Sequence, residues 1–311
     1  MSQQADALYV QYYNSKLTHQ FQPQGFIMQG MFEAEGSIVG NTAYWPKMGR
    51  SKANPQVRGV KATLDNPAFG QVSTNLITWE HLGITYTFDG SRMKVNEEQG
   101  LVESAVKAMG QAVDGAGMAL IESAGGSGAS GGTGGNWMNG SNFLDASGGQ
   151  LKAAQIQVLL GQWFGTNNIS LDGNVFGGIP MSAHQQLMAD SSYANSQWIG
   201  DDLPFKAQGL SEGRYWNFIK WVILPDEYFP VQNATPQSGN PYLDCYLWHK
   251  GSVGWTQNKK LDSKWAYDID LGGWKIRHES EGCGILLHAT PKDMGVAKIR
   301  INNTLTSLNK V

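Results

Sequence analysis

The chain has 311 residues, and its 23 Lys and Arg residues against 26 Asp and Glu residues give a formal net charge of −3. This balance argues against a protein that wraps nucleic acid by electrostatic attraction, because neutralising phosphates needs a clear basic excess. Charged residues make up 16% of the chain, where about 25% is usual, and Gly occurs 39 times. A chain so poor in charge and rich in Gly and aromatic residues is expected to bury much of its surface against another surface.

Membrane-spanning, secreted and disulfide-stabilised classes are not favoured. No apolar run approaches the ~18 residues that a membrane span needs, and residues 1–13 lack the basic and apolar regions of a secretory signal. The two cysteines, Cys245 and Cys283, are expected to be small buried apolar residues in a reducing compartment.

Residues 1–35 predict an apolar N-terminal arm. Charge is nearly absent, and the apolar side chains are Leu8, Tyr9, Tyr12, Tyr13, Leu17, Phe21, Phe26, Ile27, Met28, Met31 and Phe32. Such a segment would be sticky if free, so we expect it to pack along another surface.

Residues 36–78 predict a long basic hairpin that extends from the body. No acidic residue lies between Gly36 and Leu64, while the cations are Lys47, Arg50, Lys52, Arg58 and Lys61. The ends at 37–39 and 76–79 are strand-like. A 43-residue excursion without a core of its own is uncommon and is usually functional or disordered.

A strand and a long helix follow the hairpin. Ile84, Tyr86 and Phe88 alternate with Thr residues, as in a half-buried strand. Asn96 is placed as an N-cap, and apolar residues at helical spacing predict a helix over 97–124, about 42 Å long. Its glycines predict that other backbone approaches it closely or that it bends: Gly100, Gly110, Gly115 and Gly117. A break into two shorter helices near Gly115 remains the alternative.

The remaining chain predicts a glycine-rich surface loop and then an α/β region. Glycine patterns in residues 125–149 match nucleotide-binding and nucleophile motifs only by coincidence, because no strand precedes them and no helix follows directly. Ser147 and Ser182 are expected to begin helices, and strands are expected at 175–181, 218–224 and 242–248. Two antiparallel strands are predicted where apolar residues alternate with polar ones: Trp265, Tyr267, Ile269 and Leu271, then Ala297, Ile299 and Ile301.

No catalytic, cofactor or metal motif emerges from the sequence. The six histidines lack metal-ligand spacing. His278-Glu279 and Asp201-Asp202 are the compact acid/base-like pairs, and a solvated loop explains either. We therefore expect no enzyme activity and no cofactor.

The charge map is more informative than these pairs. The predicted helix carries a single cation, Lys107, and five acidic residues: Glu97, Glu98, Glu103, Asp114 and Glu122. One interpretation is two separate solvated faces. The alternative hypothesis is that the hairpin of one copy lies across the helix of another copy. Charge would then set the register, and apolar contacts would supply most of the affinity.

The order of these parts resembles a known family. The stretches that carry the likeness are 79–88 leading into the helix at 96–124, 213–218, 246–253, Gly282-Cys283-Gly284 and 293–296. They resemble the major capsid protein of tailed bacteriophages, whose fold also occurs in encapsulins and gene transfer agents.

The resemblance implies an α+β fold of the tailed-phage major capsid type. It implies an N-terminal arm at 1–35, an extended loop at 36–78 and an axial domain at 147–261. A peripheral domain with a long spine helix would combine 79–146 with 262–311. Such a protein assembles into pentamers and hexamers, which form the icosahedral shell that encloses phage genome DNA.

The resemblance also implies partners and a location. Copies of the chain are the main partner, and a separate scaffolding protein is expected, since no long charged N-terminal segment is present to serve as a fused scaffold. A portal and packaged double-stranded DNA, bound without sequence-specific contacts, are the other partners, with no membrane. The location would be the virion capsid, assembled in the bacterial host cytoplasm. Some relatives cross-link Lys to Asn, but no such pair is identified here.

The residues expected at the subunit interface combine the loop cations, the helix acids and the arm aromatics. They are Lys47, Arg50, Lys52, Arg58, Lys61, Glu97, Glu98, Glu103, Tyr9, Tyr12, Phe21 and Phe26.

Two alternatives remain open at this point. The first is another shell protein, either an encapsulin-like compartment or a gene transfer agent. The second belongs to a different class, a carbohydrate-binding β-rich protein, and is motivated by 11 Trp residues and the Asn- and Gly-rich loops.

Overall fold

The fold combines one long and two shorter helices with fourteen strands in the part of the chain that the computed structural model describes. The described residues are 25–34, 36–51, 53, 55, 58–59, 61, 65–86, 97–125, 137, 141–190, 214–229, 241–270, 272–290 and 293–303. The helices are α1 (Glu97–Ser123), α2 (Ala153–Asn167) and α3 (Met181–Met188). Short 3-10 turns lie at Gln29–Met31, Asp226–Tyr228 and Lys250–Ser252. No described helix is long and apolar enough to cross a membrane.

The strands form four sheets. In chain order they are β1 (Ser37–Val39), β2 (Thr42–Met48), β3 (Phe69–Asn75), β4 (Ile77–Tyr86), β5 (Phe143–Ala146), β6 (Val175–Ile179), β7 (Arg214–Trp216), β8 (Ile219–Ile223), β9 (Tyr242–His249), β10 (Val253–Asp268), β11 (Gly273–Leu286), β12 (Ala289–Thr290), β13 (Asp293–Met294) and β14 (Val296–Asn302). Within the four sheets, neighbouring strands follow the orders β1-β2-β3, β10-β11-β4, β12-β13 and β5-β14-β9-β6-β8-β7. The six-stranded sheet is mixed, with β14 parallel to β5 and antiparallel to β9.

The chain divides into two compact units. One comprises the described residues of Met1–Gly30, Ile77–Ala119 and Gln257–Gly282, and it contains β4 and most of β10 and β11. The other comprises the described residues of Met31–Leu76, Leu120–Thr256 and Cys283–Val311, and it contains the sheet of β1, β2 and β3 and the six-stranded sheet.

Helix α1 is continuous over 27 residues, so the prediction of one long helix is confirmed and the alternative of a break near Gly115 is wrong. Its buried apolar side chains recur at helical spacing: Ala105, Met109, Val113, Met118 and Ile121. Ala112 shares this helical spacing but is exposed, whereas Met118 is buried. The predicted N-cap Asn96 and the strand residue Phe88 lie outside the described residues.

Gly110 in α1 permits a close approach of backbone to backbone. A Cβ placed on Gly110 would lie 2.6 Å from the Cα of Gly25 and 2.8 Å from the ring of Phe26. Real Cβ atoms do not come this close to another backbone, so both positions require glycine. The sequence-based expectation that other backbone approaches the helix at a glycine is therefore confirmed at Gly110.

Asp114, one turn beyond Gly110, fastens the same segment to α1. Its carboxylate is buried and accepts hydrogen bonds from the backbone N–H groups of Ile27, at 2.9 Å, and Met28, at 3.1 Å. Burial raises the pKa of Asp114, while these backbone hydrogen bonds oppose the shift. Phe26 turns the chain at a φ of 61°, in the left-handed region. We refer to this arrangement of Gly110, Asp114 and residues 25–28 as the arm clasp.

The predicted strands at 175–181, 218–224 and 242–248 are confirmed as β6, β8 and β9, with small shifts at their ends. The helix starts were predicted less well. Lys152, not Ser147, is the N-cap of α2, and Ser147 instead bonds to Asp145. Ser182 lies inside α3, whose N-cap is Pro180.

Strand β14 is buried on both faces, which corrects the predicted half-exposed alternation. Lys298 is only 1% exposed, and Arg300 is also buried. Arg300 lies directly opposite Asp244 of β9 and donates to both carboxylate oxygens, at 2.9 and 3.2 Å. Lys298 Nζ is 3.4 Å from the same carboxylate. The two cations are accommodated because Asp244 pairs with both of them.

Aromatic rings surround these buried cations. The Lys298 ammonium lies 5.1 Å from the ring centroid of Trp137 and 4.9 Å from that of Phe143. The Arg300 guanidinium lies 3.9 Å from the ring centroid of Tyr242. Cations placed over ring faces gain electrostatic attraction, especially where water is excluded. The pKa of Glu122, near the end of α1, is raised mainly by burial and to a smaller extent by the charge of Asp244.

Both cysteines are buried, as the sequence predicted, and neither forms a disulfide. Cys245 lies on β9, and burial, followed by the charge of Asp244, raises the pKa of its thiol. Cys283 lies on β11 in a small apolar cluster with Ala43 and Trp45.

The arm clasp can be tested by mutation of Asp114. Replacing Asp114 by Ala should lower the free energy of unfolding by about 1–3 kcal/mol, because buried N–H groups lose their acceptor. Asp114→Asn should cost less, because the amide keeps one acceptor oxygen without a buried charge. Urea denaturation measures both values.

Glu103→Ala is the control for this prediction, because Glu103 is exposed on the same helix. An equal loss in Asp114→Ala and Glu103→Ala would contradict the clasp.

The effect of pH on this comparison also has a defined sign. Since the pKa of Asp114 is raised in the folded chain, the folded state binds the proton more tightly than the unfolded state does. As the pH falls through that raised pKa, the free energy of unfolding of the wild type should therefore increase relative to that of Asp114→Asn.

Candidate subunit interface

The extended loop begins as a three-stranded sheet with two unlike faces. Strands β2 and β3 pair along their whole lengths, from Thr42 opposite Asn75 to Met48 opposite Phe69, and β1 pairs with the other edge of β2. The strand-like end at 76–79 is not part of this sheet, because Ile77–Tyr86 pairs with β11 instead.

One face of the loop sheet is attached to the body of the chain. Ala43 and Trp45 on this inner face are buried with Cys283. The partly buried residues packed against them are Ile38, Val72, Leu76, Ile285 and Leu287. This contact places the root of the loop on the end of β11.

Trp45 fills a slot between two glycines. A Cβ on Gly36 would lie 2.7 Å from the Trp45 indole, and one on Gly254 would lie 2.8 Å from its Nε1 atom. The walls of the slot are joined by hydrogen bonds from the Glu33 N–H to the Val253 carbonyl and from the Trp255 N–H to the Glu33 carbonyl, both 2.8 Å. We call this arrangement the Trp45 slot.

The opposite face of the loop sheet is exposed and carries no charge among its described residues. Met48 and Phe69, directly opposite each other, are 59% and 76% exposed. The other side chains on this outer face are Ser37, Val39, Thr42, Tyr44, Pro46, Gln71, Ser73 and Asn75. Soluble sheets usually protect such surfaces with charged side chains, and the described residues of this face supply none.

The loop cations divide into two groups. Lys47 Nζ donates to the carbonyl of Leu287 at 2.7 Å, and Arg50 Nη2 donates to the carbonyl of Asn167 at 3.1 Å. Both contacts lie within the chain, at the root of the loop. Arg58 and Lys61 are exposed further along it, and Lys52 lies outside the described residues.

The acidic residues of α1 are also unlike one another. Glu103 is exposed, and Glu97 and Glu98 lie in the first turn, where the side chains are outside the described part. Asp114 belongs to the arm clasp, and Glu122 is half-buried. The interpretation as a solvated face is therefore wrong for Asp114, whose carboxylate is buried and accepts hydrogen bonds from Ile27 and Met28.

The aromatic residues of the arm are placed only in part. Phe26 lies against Gly110 of its own helix. Tyr9, Tyr12 and Phe21 lie outside the described residues. Their role in subunit contacts stays a prediction.

An exposed apolar segment at the end of β10 was missed. The alternation of Trp265, Tyr267 and Ile269 predicted a half-buried strand, but all three side chains are exposed, Ile269 by 84%. β10 is an edge strand of its three-stranded sheet, and most of its second half is exposed on both faces. Leu271 lies outside the described residues. The alternation indicated a strand but could not tell whether the chain itself or another copy covers it.

His278 and Glu279 do not form an acid/base pair. They follow each other in β11, so they point to opposite faces, and the solvated-loop interpretation is wrong. His278 is buried opposite His81, and its Nδ1 is 2.8 Å from Ser263 Oγ. Burial, with the charge of His81, lowers the pKa of His278.

Glu279 is the centre of an ion-pair network on the other face of β11. Lys264 Nζ lies 3.2 Å and Arg277 Nε 2.9 Å from its carboxylate. The hydrogen bond from Lys264 lowers its pKa, an effect that burial opposes and the charge of Arg277 supports. Asp201 and Asp202 lie outside the described residues. Within the described part, no group of three or more His, Cys, Asp or Glu side chains is arranged to hold a metal ion.

Comparison with known proteins identifies a family. The sequence profile of the family described as phage capsid protein matches residues 5–299. No curated protein matches the chain significantly.

Solved structures with a similar fold are capsid structures. The capsid of Ralstonia phage GP4 has a TM-score of 0.69 at 10% identity and covers 93% of this chain and 94% of that chain. The cyanophage Pam1 capsid asymmetric unit has a TM-score of 0.69 at 9% identity, with coverage of 93% and 95%. The head structure of Helicobacter pylori bacteriophage KHP40 has a TM-score of 0.62 at 12% identity, with 93% of each chain covered. At these identities the likeness shows the fold, which is the predicted α+β capsid fold.

The Trp45 slot predicts a sensitive position at its wall. Gly254→Ala should displace the indole and lower the free energy of unfolding by about 1–3 kcal/mol, as overpacking of a filled core does. It should also expose the loop root, so trypsin should cleave faster after Lys47 and Arg50.

Gly70→Ala is the matched control, since nothing lies within 4 Å of a Cβ at Gly70 in β3. This variant should keep the wild-type cleavage rate. Indistinguishable cleavage of Gly254→Ala and Gly70→Ala would show that the slot does not hold the loop.

Proposed function

The chain belongs to the phage capsid protein family, and we propose that it assembles into pentamers and hexamers, which close an icosahedral shell around phage genome DNA. Membership of the family makes it a capsid protein that forms the virion shell from copies of itself. The match over residues 5–299 carries this conclusion, because it spans the loop, the long helix and every described strand except the end of β14.

Neither alternative is favoured by the comparisons. The matched family and the similar structures given above are phage capsids. The role is structural, and we expect no catalytic activity. We also expect a separate scaffolding protein, a portal and assembly in the host cytoplasm.

We propose that the outer face of the loop sheet supplies affinity between copies. Supporting this role, Met48 and Phe69 place apolar surface directly opposite each other, while the inner face is already used by the chain. Burying apolar surface contributes about 25 cal/mol per Å², so an exposed Phe and Met stabilise a contact more than an exposed ion pair does.

We further propose that Arg58 and Lys61 guide the register of this contact. They are exposed, whereas Lys47 and Arg50 contact carbonyl oxygens of their own chain. The partners proposed for them are acidic residues near the start of α1 in a neighbouring copy, Glu97, Glu98 and Glu103. The arm residues Tyr9, Tyr12, Phe21 and Phe26, with Lys52, remain proposed interface residues.

Electron microscopy tests the function directly. The purified chain, or the chain coexpressed with a scaffolding protein, should give closed shells of uniform diameter with five- and six-fold clusters. A monodisperse monomer under every assembly condition would contradict the proposal.

Two double variants should separate affinity from register. Met48→Ser with Phe69→Ser should leave the free energy of unfolding within about 0.5 kcal/mol, because both side chains are exposed, yet reduce the yield of shells strongly. Arg58→Glu with Lys61→Glu should mainly slow assembly and change its salt dependence.

Val158→Ser is the control for loss of an exposed apolar side chain, since Val158 is exposed on α2 and is not part of the loop sheet. It should assemble like the wild type. Normal shell yield from the Met48 and Phe69 variant would remove the outer face from the interface.

A further inference from the structure

Two histidines face each other across neighbouring strands of the β10-β11-β4 sheet. His81 on β4 and His278 on β11 are directly opposite in the antiparallel register, and their ring centroids lie 6.1 Å apart at an interplanar angle of 43°. Directly opposite residues of antiparallel strands project from the same face of the sheet. The backbone therefore holds the two imidazoles side by side on one face.

One nitrogen of this pair is buried without a hydrogen-bond partner. Nδ1 of His81 is closed off from solvent, and no described protein atom bonds to it. Buried polar atoms are nearly always bonded, so an exception of this kind needs an explanation, and a bound ion is one. A neutral imidazole carries a lone pair on one of its two nitrogens, which is the atom that binds a metal.

The second histidine is oriented by the third strand of the sheet. His278 is buried, and its Nδ1 lies 2.8 Å from Oγ of Ser263 on β10. When Nδ1–H donates to this hydroxyl, the lone pair of the neutral ring is on Nε2. A metal-binding histidine usually donates its other N–H to a neighbouring polar group, which fixes the tautomer and the ring orientation. Ser263 is placed to do this for His278.

A glycine leaves the edge of the His81 ring uncovered. Gly83 lies two residues after His81 and therefore on the same face of β4. The nearest atoms to a Cβ at Gly83 would be Cε1 of His81 and the carbonyl oxygen of Ile276, both at 4.0 Å. Cε1 lies between the two ring nitrogens, so a longer side chain at this position would cover the edge that carries them. His81 itself is half-buried, which leaves a route from solvent to the pair.

We propose that His81 and His278 together bind one divalent transition-metal ion, of the kind of Zn²⁺, Ni²⁺ or Cu²⁺. Imidazole nitrogen suits these ions, whereas Mg²⁺ and Ca²⁺ take oxygen ligands. Metal–nitrogen bonds of about 2.0–2.1 Å to two rings place the ring centroids about 5–6 Å apart, close to the 6.1 Å spacing of this pair. The ion joins β4 to β11.

The remaining ligands are water molecules. Glu80 and Glu279 are neighbours of the two histidines in sequence, so they lie on the opposite face of the sheet. Within the described residues, no third His, Cys, Asp or Glu side chain joins the pair. Structural zinc sites with four protein ligands are closed, whereas a site with two protein ligands keeps open positions. The affinity is therefore expected to be moderate.

Zinc titration of the purified, unassembled full chain tests the pair without relying on assembly. At about pH 7.5, where imidazole is neutral, calorimetry should find one Zn²⁺ bound with a Kd of about 10 μM. His81→Gln and His278→Gln should each weaken this binding about tenfold or more, since each leaves a single ring. Zn²⁺ at about 0.1 mM should raise the Tm of the wild type by about 2–4 °C and leave that of either variant unchanged.

Leu82→Gln is the matched control. Leu82 follows His81 in β4, is exposed on the other face of the sheet and lies opposite Arg277, so this variant should bind Zn²⁺ like the wild type. The double variant with both histidines replaced by Gln should bind no more weakly than either single variant, because loss of one ring already removes a site that needs both.

Four results of these titrations would overturn the proposal. They are absence of Zn²⁺ binding by the wild type, undiminished binding by His81→Gln, equal weakening in Leu82→Gln, and a further loss in the double variant, which indicates two independent sites.

A measurement on the wild type covers the case in which the Gln variants fail to fold. Cu²⁺ with ascorbate oxidises the histidines that hold the copper, and peptide mass spectrometry locates the oxidised residues. Oxidation at His81 or His278 supports the site, and its absence from both residues overturns it.

Discussion

Close approach at glycine is the constraint on which the two extensions of this chain depend. At Gly110, the backbone of residue 25 lies where any side chain would collide, and Asp114 then receives the N–H groups of the next residues. At Gly36 and Gly254, the indole of Trp45 occupies the space that two Cβ atoms would need. The arm and the loop are thus fixed where they leave the body. The high glycine content has a structural reason at these positions, since it permits contacts that no other residue allows.

The sheets make unequal use of charge. The six-stranded sheet buries Lys298 and Arg300 around Asp244, an arrangement that costs desolvation energy and is stable only because the geometry of the group is complete. Removing one member of such a group usually costs about 3–5 kcal/mol. The loop sheet shows the opposite arrangement, with an uncharged outer face left exposed. The six-stranded sheet therefore has charged side chains in its interior, whereas the loop sheet has apolar side chains on its exposed face.

Much of the fold could be predicted from the sequence, for identifiable reasons. Helix α1 was predictable because its apolar residues recur at helical spacing over 27 residues, and β6, β8 and β9 because short apolar runs are bounded by turn residues. The burial of Lys298 was not predictable, since a strand that alternates apolar and charged residues normally exposes the charged face. The exposure of Trp265 and the hydrogen bond from Lys47 to the Leu287 carbonyl depend on which segments pack beside these residues. The local sequence pattern does not encode that packing. For the candidate interface, the loop and the helix could be predicted from the sequence. Which of their side chains make contacts within their own chain could not.

The burial of both cysteines has a consequence for the chemistry of the particle. These are the only two thiols in the chain, and burial removes both from solvent while raising the pKa of Cys245. Thiol oxidation and disulfide exchange require an accessible thiolate, so neither reaction has a ready site on the folded chain. We therefore expect a shell of this protein to contain no disulfide bonds between its subunits.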